Sequence, residues 1–584
     1  MGERNADEPE HHARPWLDHY PPGIVWDDEM PTVPVHEQVL SMCDRQPDAD
    51  ALDFLGAKTT YGALGRAITS LAGALQRQLG VVKGTRVALL LSNTPFYIIA
   101  YYAVLYAGGT VVNCNPLYSL EELAHIVRGA DARILVTIDL AQVFSKVEGL
   151  ARATDLRNIV ICRFADALPA IKSTLFRVAR GHEIANVGAS SLAGRVVHYN
   201  ELLSLRLNPA SVGINPASDV AVLQYTGGTT GLPRGALLSH ANVTANAYQI
   251  SRWAPGCFAP PEKIVAVLPF FHIFAMTVCM NAALCGGAEV IILPTFELRS
   301  FLDLMVRTRP TILPAVPSLL HALARTRATR SQFASLRVVV SGGAPLSSEA
   351  RQSFSRLSDT AQLVEGYGLT EASPVVCCGP VGLEVRPMSI GQPLPATDIR
   401  IVHLETRRPV PVGERGELQV KGPQVMLGYN DSQETPSTLC EGWLNTGDVA
   451  VMDVRGYVSI VDRIKDIIIT AGFKIYPRTI EDALIPHPAV DDVCVIGVAD
   501  DYHGETPVAY VKLKEGAKAT EAELRHFLSE KLSKLEMPRE FIFKDALPIT
   551  LVGKPSRKML RDDYLNRISH TSMKHVGVSG DASA

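Results

Sequence analysis

The chain has 584 residues, too many for one ordinary core, and a net charge of −4 that gives no reason to expect nucleic acid as partner. Hydrophobic residues make up 47% and charged residues 20%, a balance that fits a packed globular enzyme and excludes a disordered or fibrous chain. Ten cysteines without a CxxC pair exclude a zinc site or disulfide framework by spacing and read as buried thiols of a reducing compartment. The N-terminus, Met1 to Arg14, lacks the apolar core of a signal peptide, so a cytoplasmic location is expected.

From Leu55 to Val112, helical stretches such as Tyr61 to Leu79 alternate with β-rich runs such as Val87 to Leu91. The alternation recurs at Ile134 to Ile138, Ile159 to Cys162, Val290 to Leu293 and Leu336 to Val340, implying α/β layers with parallel sheets. Two long apolar stretches, Phe96 to Cys114 and Val265 to Ala288, approach the length of a membrane span. Their Gly and Pro breaks and interior polar residues predict buried helix-plus-strand units instead. Between them, Ile171 to Arg180 places Ile171, Leu175 and Val178 on one helical face near Lys172, Arg177 and Arg180. Such a helix suits a membrane surface; the alternative, favoured on sequence, is a helix or loop packing on its own domain.

Tyr225 to Gly235, after the strand-like Val220 to Leu223, holds four glycines, three threonines and Arg234. Glycines let backbone approach a ligand, hydroxyls and amides donate, and a guanidinium grips phosphate, so the segment reads as a phosphate-wrapping loop. It lacks the Gly-Lys-Ser/Thr ending of a Walker A loop. Glu365 to Glu371 (Glu-Gly-Tyr-Gly-Leu-Thr-Glu) offers an aromatic ring, a hydroxyl and a carboxylate suited to a metal–ATP site; the alternative is a glycine-rich turn between strand and helix. In Gly442 to Lys474, Asp448 can accept from ribose hydroxyls or be an ordinary turn aspartate. Near Asp462 the texture changes to a small α+β pattern, with strands at Val493 to Val498 and Pro507 to Leu513 and a helix at Glu521 to Leu535. Leu551 to Arg561 carries four basic residues, ordinarily a solvated face.

With these motifs in order, the chain resembles the adenylate-forming superfamily, and within it the long-chain fatty-acid:CoA ligases, from about Arg14 to Arg561. The signature Tyr-Thr-Ser/Gly-Gly-Thr-Thr-Gly-x-Pro-Lys-Gly matches Tyr225 to Gly235, and Gly-Tyr-Gly-Leu-Thr-Glu matches Gly366 to Glu371. The Thr-Gly-Asp motif matches Trp443 to Asp448, the Asp-Arg-x-Lys-Asp hinge Asp462 to Ile468, and Gly-Lys-x-x-Arg Gly553 to Arg557. The resemblance implies an α/β fold with a large N-terminal domain of layered sheets and helices, residues 1–462, and a small mobile α+β domain, 463–570. A disordered tail, 571–584, would follow.

It also implies roles. Thr226, Gly227, Gly228, Thr229, Thr230 and Gly231 would hold the β,γ-phosphates with Arg234, which stands where the family has lysine. Thr370 would contact the α-phosphate and Glu371 would bind Mg²⁺, assisted by Thr226. Gly343, Ala344 and Tyr367 would frame adenine, and Gly366 and Gly368 would also belong to the cofactor site; Asp448 and Arg463 would hold the ribose. Lys465 would be the hinge, and Gly472, Phe473 and Lys474 would line the pantetheine tunnel. Lys554 would bridge the substrate carboxylate and the α-phosphate, though Pro555 beside it departs from the family pattern and leaves Lys558 as an alternative. Phe271, His272 and Phe274, in the segment Leu268 to Thr277, would wall the acid pocket, or simply be core. The implied activity is AMP-forming acyl-CoA synthesis from a medium- or long-chain fatty acid, ATP and coenzyme A. Peripheral contact with the inner face of the membrane and a homodimer are compatible with it. A carrier-protein acceptor, a luciferase-like reaction and an inactive adenylate-binding paralogue are the competing outcomes.

Overall fold

The computed structural model describes residues 14–226, 233–324, 326, 328–431, 433, 435–500, 502–548 and 555–576. They fall into two compact units: residues up to 400 with 419–445 and 454–458, and residues 401–418, 446–453 and 459 onward.

The first unit holds two large sheets. In the nine-stranded sheet, Gln362–Gly368, Val338–Ser341, Ile312–Ala315, Lys263–Ala266, Glu289–Ile292 and Asp50–Phe54 run parallel, with antiparallel strands at both ends. In the eight-stranded sheet, Val220–Thr226, Thr110–Asn113, Arg86–Leu90, Ile134–Ile138, Asn158–Cys162 and Val196–His198 are parallel, and Arg234–Ser239 turns back antiparallel. Strand–helix alternation feeds these sheets as expected. The helix Tyr61–Leu79 starts where the Thr60 hydroxyl accepts from the Ala63 amide and stops at Gly80, whose φ of +67° only glycine adopts freely. The helix Leu120–Gly129 opens with a reciprocal Ser119–Glu122 capping box.

Both long apolar stretches are buried helix-plus-strand units. The first is the helix Pro95–Tyr106 and the strand Thr110–Asn113, and its tyrosines are satisfied by protein: Tyr97 donates to the Asn113 amide oxygen at 2.7 Å, Tyr102 to that of Asn281 at 2.8 Å. The second contains the strand Lys263–Ala266, the π-helix Ala275–Ala282 and the helix Ala283–Gly286. Among the described residues no helix is long and apolar enough to cross a membrane.

The second unit contains the strands Phe473–Ile475, Ile468–Thr470, Gly504–Leu513, Val490–Asp500 and Glu540–Phe543 in one sheet, with the helices Pro477–Leu484, Glu521–Ser529 and Arg557–Val576. Residues 577–584 of the expected tail lie outside the described residues. The helix expected to run from Glu521 to Leu535 ends at Ser529, because the Ser533 amide binds the Glu536 carboxylate at 2.9 Å and starts a separate turn.

Candidate active site

In the first unit, the strands Val220–Thr226 and Arg234–Ser239 form an antiparallel hairpin whose last pair is Thr226 opposite Arg234. The connecting residues, including Gly227, Gly228, Thr229, Thr230 and Gly231, lie outside the described residues. The ladder fixes both ends of the loop: the Thr226 hydroxyl lies 3.5 Å from the Arg234 carbonyl, and the Arg234 side chain is exposed. Gly235 sits in a tight place: a Cβ there would lie 2.9 Å from the Leu223 side chain and 3.1 Å from the Tyr225 ring, so both would have to shift to admit one.

The second motif is strand where a turn is the simpler expectation. Gly366, Tyr367 and Gly368 continue the strand Gln362–Gly368 and pair antiparallel with Val375–Cys378. A Cβ on Gly368 would fall 2.0 Å from the Pro374 carbonyl oxygen, so no other residue fits. Next comes not a helix but one 3₁₀ turn, Thr370–Ala372, ended by Ser373 at φ +67°. Glu371 is held twice: its carbonyl accepts the Met426 amide at 2.8 Å, and its carboxylate accepts the Tyr429 hydroxyl at 2.8 Å. Burial, then the Glu371 charge, pushes the Tyr429 phenol well above its usual range, so it stays a donor. Tyr429 pairs with Ala236, and the Asn430 amide donates to the Gly235 carbonyl at 2.7 Å. The strand Gly428–Tyr429 thus joins the phosphate-loop hairpin to the Glu371 turn.

Gly343, at φ +78°, and Ala344 follow the strand Val338–Ser341, which is parallel to and paired with Gln362–Gly368. Gly343–Ala344 and Gly366–Tyr367 therefore emerge from neighbouring strands at their carboxyl ends, where α/β sheets place ligands. Phe274 is brought beside them. A Cβ on Gly342 would lie 3.1 Å from the Phe274 ring and 3.3 Å from the Gly366 carbonyl.

The acid-segment backbone is pinned by neutral buried side chains. Asn93 accepts the Phe270 amide at 2.7 Å and donates to the Leu268 carbonyl at 2.8 Å. Gln224 donates to the Phe271 carbonyl at 2.9 Å, and Asn113 donates to the Gln224 side-chain oxygen at 2.7 Å. Gln224 belongs to the same strand as Thr226, so this chain runs from the acid segment to the phosphate loop. Phe271, His272 and Phe274 are half-buried whereas Phe270 is fully buried, so of these four only the first three keep accessible surface. The His272 ring nitrogen accepts the Phe274 amide at 3.4 Å. In the π-helix that follows, the Thr277 hydroxyl donates to the Ser373 carbonyl at 2.7 Å.

The second unit holds its residues by charge. Asp448 is 4% exposed and pairs with the Arg463 guanidinium at 3.0 Å; its amide donates to the Thr446 hydroxyl at 3.1 Å. Lys465 lies in the 3₁₀ turn Ile464–Asp466, and dehydration by its neighbours, then the Arg463 charge, lowers its ammonium below the usual lysine value; Asp466 and Asp448 oppose this. Ala471 and Gly472, both at positive φ, make the two-residue turn between Ile468–Thr470 and Phe473–Ile475. Phe473 beyond it is 61% exposed and Lys474 pairs with Glu405 at 2.8 Å. Lys554 lies outside the described residues. Arg557 is no solvated cation: it donates to the Glu481 carboxylate at 2.7 Å and to the Val495 carbonyl at 3.0 Å, with Asp466 at 3.7 Å.

Residues 40–430 match the AMP-binding enzyme family, and 479–554 match the AMP-binding enzyme C-terminal domain. The chain belongs to the AMP-binding enzymes. Among curated relatives of this AMP-binding enzyme, the long-chain-fatty-acid--CoA ligase of Bacillus subtilis is 38% identical, with 94% of this chain and 98% of the relative covered. That of Escherichia coli O6:H1 is 34% identical, covering 95% and 99%. The crystal structure of ATP-bound MatB from Rhodopseudomonas palustris has the same fold, with a TM-score of 0.79, 28% identity, and coverage of 91% of this chain and 99% of that one.

Sequence reasoning missed several positioning residues of this AMP-binding enzyme. Tyr429 sits in an unremarked Gly-Tyr-Asn, Asn93 in the polar Ser-Asn-Thr ahead of the helix Pro95–Tyr106, and Asn113 and Gln224 are polar positions in apolar strands. The one available signal was that a lone amide within a buried strand must find a partner.

Proposed function

We propose that the protein is an AMP-forming acyl-CoA synthetase that activates a medium- or long-chain fatty acid with ATP and delivers it to coenzyme A. The observation that carries this reading is the match to curated long-chain-fatty-acid--CoA ligases over 94% of the chain, which spans both units. A carboxylate is a poor target for a thiol. Its oxygen therefore attacks the α-phosphorus of ATP, the bond to the β-phosphate oxygen breaks, and pyrophosphate leaves. The CoA sulfur then attacks the acyl carbon, the bond to AMP breaks, and the thioester forms.

The roles assigned to the residues follow from the motifs and the local geometry. Thr226, the loop through Gly231, and Arg234 hold the β,γ-phosphates, with the loop ends set by the hairpin. Thr370 meets the α-phosphate; Gly343, Ala344 and Tyr367 frame adenine. Asp448 accepts from the ribose, for which a carboxylate already paired with Arg463 keeps acceptor capacity. Lys554 stabilises charge at the α-phosphate during adenylation, and the chain after 462 turns at Lys465 to present Gly472, Phe473 and Lys474 to pantetheine. Phe271, His272 and Phe274 face the acid.

Mg²⁺ fits Glu371: the cation commonly takes one carboxylate with substrate phosphates, and the Glu371 carboxylate, which accepts the Tyr429 hydroxyl on one oxygen, has acceptor capacity to spare. When bound it supplies positive charge to the departing pyrophosphate. Ten free thiols and the use of ATP and CoA suit the cytoplasm.

Thioester formation measured across fatty acids of rising length beside benzoate and cinnamates tests the reading. The value of kcat/KM should rise with each methylene, by up to about 0.8 kcal/mol in binding, and then level off. Preference for an aromatic acid over every fatty acid would overturn the alkyl assignment.

A further inference from the structure

The strand Arg234–Ser239 begins opposite Thr226, so Pro233 lies one residue beyond the last ladder pair, at the foot of the phosphate loop. Pro233 is buried, and its carbonyl oxygen lies 3.2 Å from Nε2 of His125. A carbonyl only accepts, so the proton is on Nε2 and the ring donates. The pyrrolidine ring sets φ of Pro233 and this bond restrains its carbonyl, so both soft dihedrals are constrained where the loop joins the strand. His125 belongs to none of the motifs: it lies in the helix Leu120–Gly129, 108 residues before Pro233 in the chain.

That helix is held along its length. The Ser119–Glu122 capping box fixes its start, and Leu123, Ile126 and Val127 pack into the same core cluster as Leu223 and Tyr225 of the hairpin. A Cβ on Gly149, in the helix Ala141–Ala153, would lie 2.7 Å from the Leu120 side chain, so the two helices are in close contact. Its last turn carries a second tie to the hairpin. The Asn430 side chain donates to the Gly129 carbonyl at 2.8 Å, while the Asn430 backbone amide donates to the Gly235 carbonyl at 2.7 Å. His125 and Asn430 thus bracket the stem from Pro233 to Gly235 with bonds to one well-packed helix.

We propose that His125, with Asn430 as its companion, is a positioning residue for ATP: by holding the Pro233 carbonyl it sets the stem of the phosphate loop before the nucleotide arrives. It touches no reacting atom. A loop whose foot is already fixed loses less conformational freedom on binding, so affinity is gained by preorganisation and not by a new contact to the ligand. The proposal deepens the functional assignment and rests on one part of it, the reading of Thr226 to Gly231 as the grip on the β,γ-phosphates.

Calorimetric titration of the full chain with Mg²⁺·ATP, and separately with AMP, in the absence of any acid tests this. His125→Leu keeps the bulk and removes the donor. Its Kd for ATP should rise about fivefold, the worth of one neutral hydrogen bond, while its Kd for AMP, which has no β- or γ-phosphate, and its thermal midpoint keep the wild-type values. His125→Gln places an amide donor near the position of Nε2 and should restore the affinity for ATP. Unchanged ATP affinity in His125→Leu overturns the proposal. So does equal weakening of ATP and AMP, which would make His125 a packing residue of the fold, and so does a glutamine variant that binds ATP no better than the leucine one. If His125→Leu does not fold, Asn430→Ala decides in its place by the same two titrations: a loss of ATP affinity alone supports the bracket, and wild-type affinity or an equal loss for AMP overturns it. Because the titrations contain no acid, failure here and failure of the fatty-acid assignment are separate results.

Discussion

The two units hold their candidate site residues by opposite means. In the first, backbone ladders and neutral buried side chains do it: Glu371 is fixed by a phenol and an amide, and the acid segment by Asn93 and Gln224. In the second, paired charges do it: Asp448 with Arg463, and Arg557 among Glu481, Asp462 and Asp466. The bonds from Asn93 and Gln224 are neutral, short-ranged and indifferent to salt, and even the Tyr429 bond to the Glu371 carboxylate needs only one charged partner. Buried ion pairs are conditional: they stabilise only while every partner keeps its charge.

The sharpest way to break this comparison is Arg557→Ala. Arg557 and Glu481 side chains are only 22% and 17% exposed, so removing the cation strands a nearly buried carboxylate. Urea unfolding of the full chain should show the transition of the second unit weakened by about 3–5 kcal/mol, with that of the first unchanged. A loss below about 1 kcal/mol, the worth of a surface pair, would mean that charge is incidental there.

Lys554→Ala extends the comparison from stability to chemistry. It should slow ATP-dependent adenylation by two to three orders of magnitude, about 3–4 kcal/mol, and leave turnover of synthetic acyl-AMP with CoA largely intact. Full adenylation by the variant would shift the role to Lys558.

The first unit answers to pH instead. Burial, reinforced by the other ring, lowers His36 to about 3, and burial lowers His240 to about 4. Both rings are neutral in the folded state below the pH at which the unfolded chain protonates them. Stability is therefore complete above about pH 6.5 and is lost as pH falls toward 4, by about 3 kcal/mol for each histidine. His36 stacks on Tyr106 and its Nδ1 has no hydrogen-bond partner among the described residues, so His36→Phe keeps the stacking and removes one titration. The acid-side slope of thermal midpoint against pH should flatten in this variant; an unchanged slope would assign the acid sensitivity elsewhere.

The smallest effect sharpens the account of Glu371. Tyr429→Phe removes one hydrogen bond to a charged group, worth about 1–2 kcal/mol. KM for Mg²⁺·ATP should rise roughly tenfold by the same principle, with KM for the fatty acid unmoved. Equal changes in both would make Tyr429 a general structural residue.

The contrast also explains what could be foreseen. Helices and strands with strong periodicity, such as Tyr61–Leu79 and Ile134–Ile138, match the pattern of the chain because burial alone specifies them. The strand character of Gly366 to Gly368 was hidden, since glycine signals a turn unless the antiparallel partner is known, and that partner, Val375–Cys378, arrives only after the Glu371 turn. The run Tyr225 to Gly235 stood out in the sequence because four glycines and three threonines in eleven residues are an unusual local composition. Tyr429, Gln224 and Arg557 did not, because each acts on a group brought near only by folding, and a single Tyr, Gln or Arg carries no local mark of its partner. The stripe of Ile171, Leu175 and Val178, exposed on the helix Ala170–Ala179 against the packing favoured on sequence, was visible as periodicity, but which way it faced depended on Phe176 finding Phe164.

The hydrogen bond from Thr277 to the Ser373 carbonyl joins the helix beyond the acid segment to the turn that carries Glu371. That helix has π rather than α geometry, a winding with an extra residue per turn that can be taken up or released. An alkyl chain that shifts the register of Ala275–Ala282 must move or break this contact. With the roles proposed above for Phe274 and Glu371, affinity for the acid and affinity for the nucleotide would be thermodynamically linked, and the linkage would be reciprocal: whatever factor an acid imposed on nucleotide binding, the nucleotide would impose on that acid. Substitutions made in this helix to change chain-length preference would alter nucleotide affinity as well.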